Sequence, residues 1–141
     1  MKRALGIDHG EARIGIAISD ELGMLAHPVE TIVVKEVRDV CGRIAEVARR
    51  EKVGVLVLGL PRNMDGSYGP AAEKVRAFGE KLKAALPEAQ LVYWDERLTS
   101  VAAQRLLHDV GRDVKKGRAV IDQVAAHLIL QGWLDSQAML G

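Results

Sequence analysis

The stretch "VGVLVLGL", residues 53–60, runs the length of a strand without one charged or hydrogen-bonding side chain. A strand with no polar side has to be covered on both faces, so it belongs inside a sheet flanked by helices. The neighbouring segments supply those helices. Upstream, "EVRDVCGRIAEVARREK" spaces Val37, Val40, Cys41, Ile44, Val47 and Ala48 along one helical face. Downstream, Pro70 suits a first helical turn, and "AAEKVRAFGEKLKAAL" continues until Pro87 stops it.

Four further strands are expected. Arg3 to Ile7 and Ile14 to Ser19, joined by "DHGEAR", read as a hairpin; "HPVETIVVK" reads as a third strand and "QLVYWD" as the fifth. Thr99 or Ser100 is placed to cap a helix "VAAQRLLHDV" that Gly111 ends, and a last helix is expected from about Ala119 to beyond Trp133. An antiparallel meander followed by alternating strands and helices predicts an α/β fold with a mixed sheet. At 141 residues, with no repeat or linker, one domain over residues 1–141 is expected.

The formal charge is only +1, so a nucleic-acid surface would have to come from local clustering. Cys41 is the single cysteine, which excludes an internal disulfide framework and a cysteine-rich zinc site and suits a reducing cytosol. The opening "MKRALGID" is basic like a signal peptide, but Asp8 interrupts its apolar stretch early. No segment approaches a membrane span. A cytoplasmic protein without a membrane partner is expected.

Asp8 sits at the carboxyl end of the first strand, where α/β sheets gather ligands, with Gly10 just beyond. On its own, a turn aspartate bonded to its own backbone would account for it. The fifth strand ends "WDERLTS"; along an extended chain Asp95 and Glu96 face opposite ways, so one of the two is expected to share a crevice with Asp8. Arg97 offers a fork either for phosphate or for a salt bridge beside a helix cap. Asp122 stands in helical register with Ala125, Ala126, Ile129 and Trp133, an apolar face where a surface helix would not put an acid.

Three acids from two strand ends and a helix would thus converge at one sheet edge. Such carboxylates are stable together when hard divalent cations sit between them, and two ions of magnesium or manganese are expected here. Arg13, Asn63 with its glycine turn, and the basic run Arg112, Lys115, Lys116 and Arg118 are candidate nucleic-acid contacts, although such loops are more commonly just solvated. Trp94 and Trp133 are read as core, and no two histidines have zinc-motif spacing.

"GIDHGEARIGIAISD", "VLGLPRNMDG", "WDERLTS" and "IDQVAAHLILQGWL" resemble, in order, the signatures of the YqgF/RuvX family, described as pre-16S rRNA nucleases and as Holliday-junction-resolvase-like. The resemblance runs from Arg3 to about Leu134. It implies a ribonuclease-H-like fold: a five-stranded mixed sheet, its first three strands antiparallel, flanked by helices. It also implies Asp8, Glu96 and Asp122 as catalytic and metal-binding acids, with Asp95 second to Glu96 in the middle role. The implied activity is endonucleolytic cleavage in 5′-end maturation of pre-16S rRNA, by in-line attack of activated water that leaves a 5′-phosphate and a 3′-hydroxyl.

The expected partners are structured RNA or branched DNA, and the small ribosomal subunit, for a monomer or homodimer. A Holliday-junction resolvase and a non-catalytic RNA-binding assembly factor are the alternatives. Nucleotide phosphotransfer ranks last, since actin-like and sugar kinases share the acid-then-glycine strand but need two related domains.

Overall fold

The computed structural model describes residues 2–63, 65–98 and 117–140, and the side chains of all of these but 117–121. Five strands, β1 (Arg3–His9), β2 (Arg13–Ser19), β3 (Ala26–Val33), β4 (Val53–Leu60) and β5 (Gln90–Asp95), form one sheet in the order β3-β2-β1-β4-β5. β1 pairs antiparallel with β2, and β2 with β3. β4 lies parallel to both β1 and β5. The apolar run of β4 is therefore an interior strand, as its lack of polar residues requires.

Helices α1 (Val40–Arg50) and α2 (Pro70–Ala85) cover one face, and α3 (Gly117–Leu140) covers the other. Asp39 opens α1 by accepting the Gly42 N–H at 3.0 Å. That cap leaves Val37 in extended backbone ahead of the helix, although the apolar spacing extends the helical face to it. Val37 still packs on the core. Pro70 takes the first turn of α2, where its missing N–H costs nothing. The last helix starts at Gly117, two residues ahead of the expected Ala119, and the expected helix "VAAQRLLHDV" lies outside the described residues.

Strand alternation sends large aliphatics one way and small residues the other. Leu5, Ile7, Ile14, Ile16, Leu56 and Leu58 pack beneath α1 and α2. Ala4, Ala17, Ala26 and Val57 meet Ala126, Ile129, Leu130 and Leu134 of α3, with Trp94 and Trp133 packed alongside as core. The approach on this second face is close. A Cβ on Gly6 would stand 2.6 Å from Leu130 Cβ and 2.8 Å from the Ala126 carbonyl oxygen.

The β2–β3 connection is tied to the same helix. Asp20 accepts from the Met24 and Leu25 amides, while Gln131 of α3 donates to the Met24 carbonyl and accepts from the Ala26 amide.

Candidate active site

Asp8 is one residue from the end of β1 and, by alternation from Gly6, faces α3. Its Cα partner across the hairpin is Gly15. A Cβ at Gly15 would lie 2.0 Å from the carbonyl oxygen of Asp122, so only glycine lets the first part of α3 settle there. On the other side of β1, Leu58 is the partner of Ile7, which puts Gly59 level with Asp8. A Cβ on Gly59 would lie 2.7 Å from Glu96 Oε1 and 2.5 Å from Ile129 Cδ1. Two bare strand positions flanking Asp8 thus admit the backbone that carries Asp122 and the carboxylate of Glu96.

The electrostatics agree with this placement. Burial first, then the charges of Glu96 and Asp122, push the Asp8 carboxyl up to about 7. Burial, with the charge of Asp95, also raises Glu96 above the usual carboxylate range. Asp95 behaves in the opposite way. Hydrogen bonding from Arg97 is the largest of the effects that hold it down at about 2, and Arg62 adds its charge. Arg97 Nη2 stands 2.7 Å and Arg62 Nη1 3.3 Å from Asp95 Oδ2. Of the two adjacent acids, Glu96 shares the field of Asp8, and Asp95 is engaged by two guanidinium groups.

Asp122 has a counter-charge of its own, since Arg13 Nε lies 3.3 Å from its Oδ2. Among the described residues, no three His, Cys, Asp or Glu side chains stand as a finished cation cage. The three acids share a field, and the expected convergence does not extend to a preformed coordination shell.

The candidate nucleic-acid contacts divide. Arg13 and Arg97 are on the edge but turned to Asp122 and Asp95. Asn63 donates from Nδ2 to Ser67 Oγ at 2.9 Å, within the loop after β4. Arg112, Lys115 and Lys116 lie outside the described residues; Arg118 lies on α3 with its side chain likewise outside them. His9, next to Asp8, stacks on Phe78 at 4.5 Å between centroids. Burial is the main cause that lowers its pKa below the ordinary imidazole value.

Sequence reasoning did not single out Gly15 or Gly59. The signal was present, because pairing His9 with Ile14 across the short connection places Gly15 opposite Asp8.

A mixed five-stranded sheet of this order, with an acid at the end of its middle strand, defines the ribonuclease-H-like class. Solved structures agree on the fold. The Thermus thermophilus RuvC in complex with Holliday junction substrate superposes with a TM-score of 0.63 at 15% identity, covering 97% of each chain. The fowlpox virus resolvase with Holliday junction DNA gives 0.51 at 11% identity, covering 96% of this chain and 98% of that one.

The family model described as "RuvX: Holliday junction resolvase" matches residues 2–136, and the chain belongs to that family. A relative from Acetivibrio thermocellus named "Putative pre-16S rRNA nuclease" is 44% identical over 136 residues, 96% of each chain. One of the same name from Bacillus cytotoxicus is 42% identical over 137 residues, 96% of this chain and 99% of the relative.

Proposed function

We propose that this chain is a nuclease, a hydrolase of phosphodiester bonds, whose centre is Asp8, Glu96 and Asp122. The observation that carries the reading is the ionisation of Asp8, opposed by burial and by the other two acids at a sheet edge opened by Gly15 and Gly59. Buried like charges are costly, and a site that gathers them is suited to a cationic ligand.

Magnesium or manganese fits this donor set, since both take hard carboxylate oxygens. Asp8, Glu96 and Asp122 would hold two such ions, which supply the charge that activates water and stabilises the leaving oxygen. Arg13 positions the Asp122 carboxylate and competes with a cation for it. Arg97, held by Asp95, is the cation nearest to Glu96 in sequence and orients the sugar-phosphate backbone. The basic residues Arg112, Lys115, Lys116 and Arg118, with Asn63, extend that contact. Backbone contacts of this kind recognise shape more than sequence.

The names of the relatives support pre-16S rRNA as substrate. We extend this to 5′-end maturation during ribosome biogenesis, in the cytoplasm and on or near the small subunit. No helix among the described residues is long and apolar enough to cross a membrane. The family description favours a second reading, resolution of branched DNA. Residues 1–141 act as one domain, as a monomer or homodimer.

Purified protein and its Asp8→Asn variant, incubated with magnesium and either a pre-16S rRNA fragment or a four-way DNA junction, decide between these readings. Cleavage by the wild type alone, with circular dichroism showing both proteins folded, is the expected result. Equal cleavage by both proteins would remove the acids from the reaction. No cleavage by either would favour an RNA-binding assembly factor.

A further inference from the structure

Of the three acids, Glu96 is the one that no strand or long helix holds. Asp8 sits in β1 and Asp122 in α3, but β5 ends at Asp95, and Glu96 opens the short 3-10 turn Glu96–Leu98. A three-residue turn does not by itself fix the direction of a long carboxylate side chain, which has several rotamers to lose. Yet Glu96 is directed. Its Oε1 lies 2.7 Å from where a Cβ on Gly59 would stand, level with Asp8.

The residues on either side of Glu96 are bonded to each other. Asp95 Oδ1 accepts the Arg97 N–H at 2.9 Å. The Arg97 side chain then folds back onto the same carboxylate, with Nε 3.1 Å from each oxygen and Nη2 2.7 Å from Oδ2. Arg62 adds Nη1 at 3.3 Å from Oδ2 and is anchored through Nε on the Gly66 carbonyl at 2.9 Å. Leu60 is the register partner of Asp95, so the Arg62 contact joins the exits of β4 and β5.

An exposed ion pair alone would hold little. Here the Asp95 side chain is only 18% exposed, and donors from two residues converge on it. The backbone of Glu96 is enclosed between Asp95 and Arg97, and it cannot turn without breaking these bonds.

We propose that Asp95 is a positioning residue for Glu96: by accepting the Arg97 N–H it closes the turn and aims the Glu96 carboxylate at the edge beside Asp8, where a divalent cation would be held. Its contribution is the hydrogen-bond acceptor and not its charge, which the two guanidinium groups already offset. An acceptor serving the amide two residues on is a role that asparagine fills as aspartate does, and that alanine cannot. This deepens the nuclease reading and rests on it for the cation, whereas the direction of Glu96 is read without metal.

The experiment compares the full chain with Asp95→Ala, Asp95→Asn, Glu96→Gln and the double variant Asp95→Ala/Glu96→Gln. In EDTA, the nuclear Overhauser contact between the Gly59 α-protons and the Glu96 γ-protons reports where the side chain points. It is expected in the wild type and in Asp95→Asn, and lost in Asp95→Ala while the amide spectrum stays that of a folded protein. Electron paramagnetic resonance of free Mn2+, without nucleic acid, then gives the ion affinity. Asp95→Ala is expected to weaken it by about tenfold or more, and Asp95→Asn by less than about threefold. The double variant should bind as Glu96→Gln does, because a residue acting through another adds nothing once that other is gone.

A Gly59–Glu96 contact that survives in Asp95→Ala would overturn the proposal. Equal losses in the alanine and asparagine variants would overturn it too, by assigning the effect to charge. Losses that add in the double variant would give Asp95 a route of its own, and an Asp95→Ala protein that does not fold would make it a support of the fold; either result ends the proposal. A wild type that shows the contact but takes up no Mn2+ would keep the positioning role and remove the cation centre, so the two failures are distinct.

Discussion

On the side of α1 and α2, strands β1, β2 and β4 present Leu5, Ile7, Ile14, Ile16, Leu56 and Leu58; on the side of α3 they present Ala4, Gly6, Gly15, Ala17, Val57 and Gly59. One face is thick, with branched side chains between sheet and helices. The other is so thin that α3 backbone rests on strand backbone. A thick layer gains stability by burying large apolar area, and loss of a methylene or two there leaves a cavity. A thin layer gains less burial but fixes position, because backbone against backbone leaves no side chain to adjust. The acids Asp8 and Asp122 belong to the thin face, where Gly59 also leaves room for Glu96.

The largest expected effect tests the thick face. Leu5→Ala, at a fully buried position, should cost about 3 kcal/mol in urea unfolding. Its cleavage rate per folded molecule should stay near that of the wild type. A large loss of rate in a folded Leu5→Ala protein would end the division of labour.

Gly15→Ala should show the converse. Its Cβ meets the Asp122 carbonyl oxygen, so α3 has to shift and cleavage falls on the order of 100-fold, with a smaller loss of stability. Unchanged cleavage by this variant would show that the close approach does not position the acid.

A third test uses pH. In the folded chain Asp8 holds its proton up to about 7, against an ordinary value of 3.8. Between those values the native state binds more protons than the unfolded one. This contribution to stability therefore falls as pH rises through that window and levels off above it. Asp8→Asn removes the penalty. In EDTA its thermal melt should lie close to the wild type near pH 4 and exceed it by a margin that grows as the pH rises toward 8. A gap that does not grow with pH would mean that Asp8 is not held against ionisation.

The smallest effect returns to the thick side. Asp39→Ala removes the α1 cap and should cost about 1 kcal/mol, with cleavage unchanged. A change in cleavage would show that α1 communicates with the thin face.

The thick face was the more legible of the two in the amino-acid sequence. Runs of Ile, Leu and Val mark strands by composition alone, and the helical period of Ile44, Val47 and Ala48 needs no knowledge of partners. Asp122 was legible as well, because an acid on an apolar helix face is anomalous wherever the helix goes. The choice between Asp95 and Glu96 could not be read from alternation. β5 ends at Asp95, and Glu96 opens a 3-10 turn whose side chains no longer follow the strand period.

The engagements of Arg13 and Arg97 were hidden for a related reason. Both residues suit phosphate and carboxylate equally, and which one they meet depends on distant chain segments. For Arg97 the salt bridge beside the turn is what the structure contains. The glycines were hidden because a bare position shows its use only when its neighbour across the sheet is known.

The placement of α3 has a consequence for the timing of synthesis. This helix follows all five strands in the chain, yet it alone brings Asp122 to the hairpin made first. A nascent polypeptide translated through the 3-10 turn after β5 holds Asp8 and Glu96 but lacks their third companion. Under the proposed nuclease reading, the centre is complete only after that helix has emerged and docked.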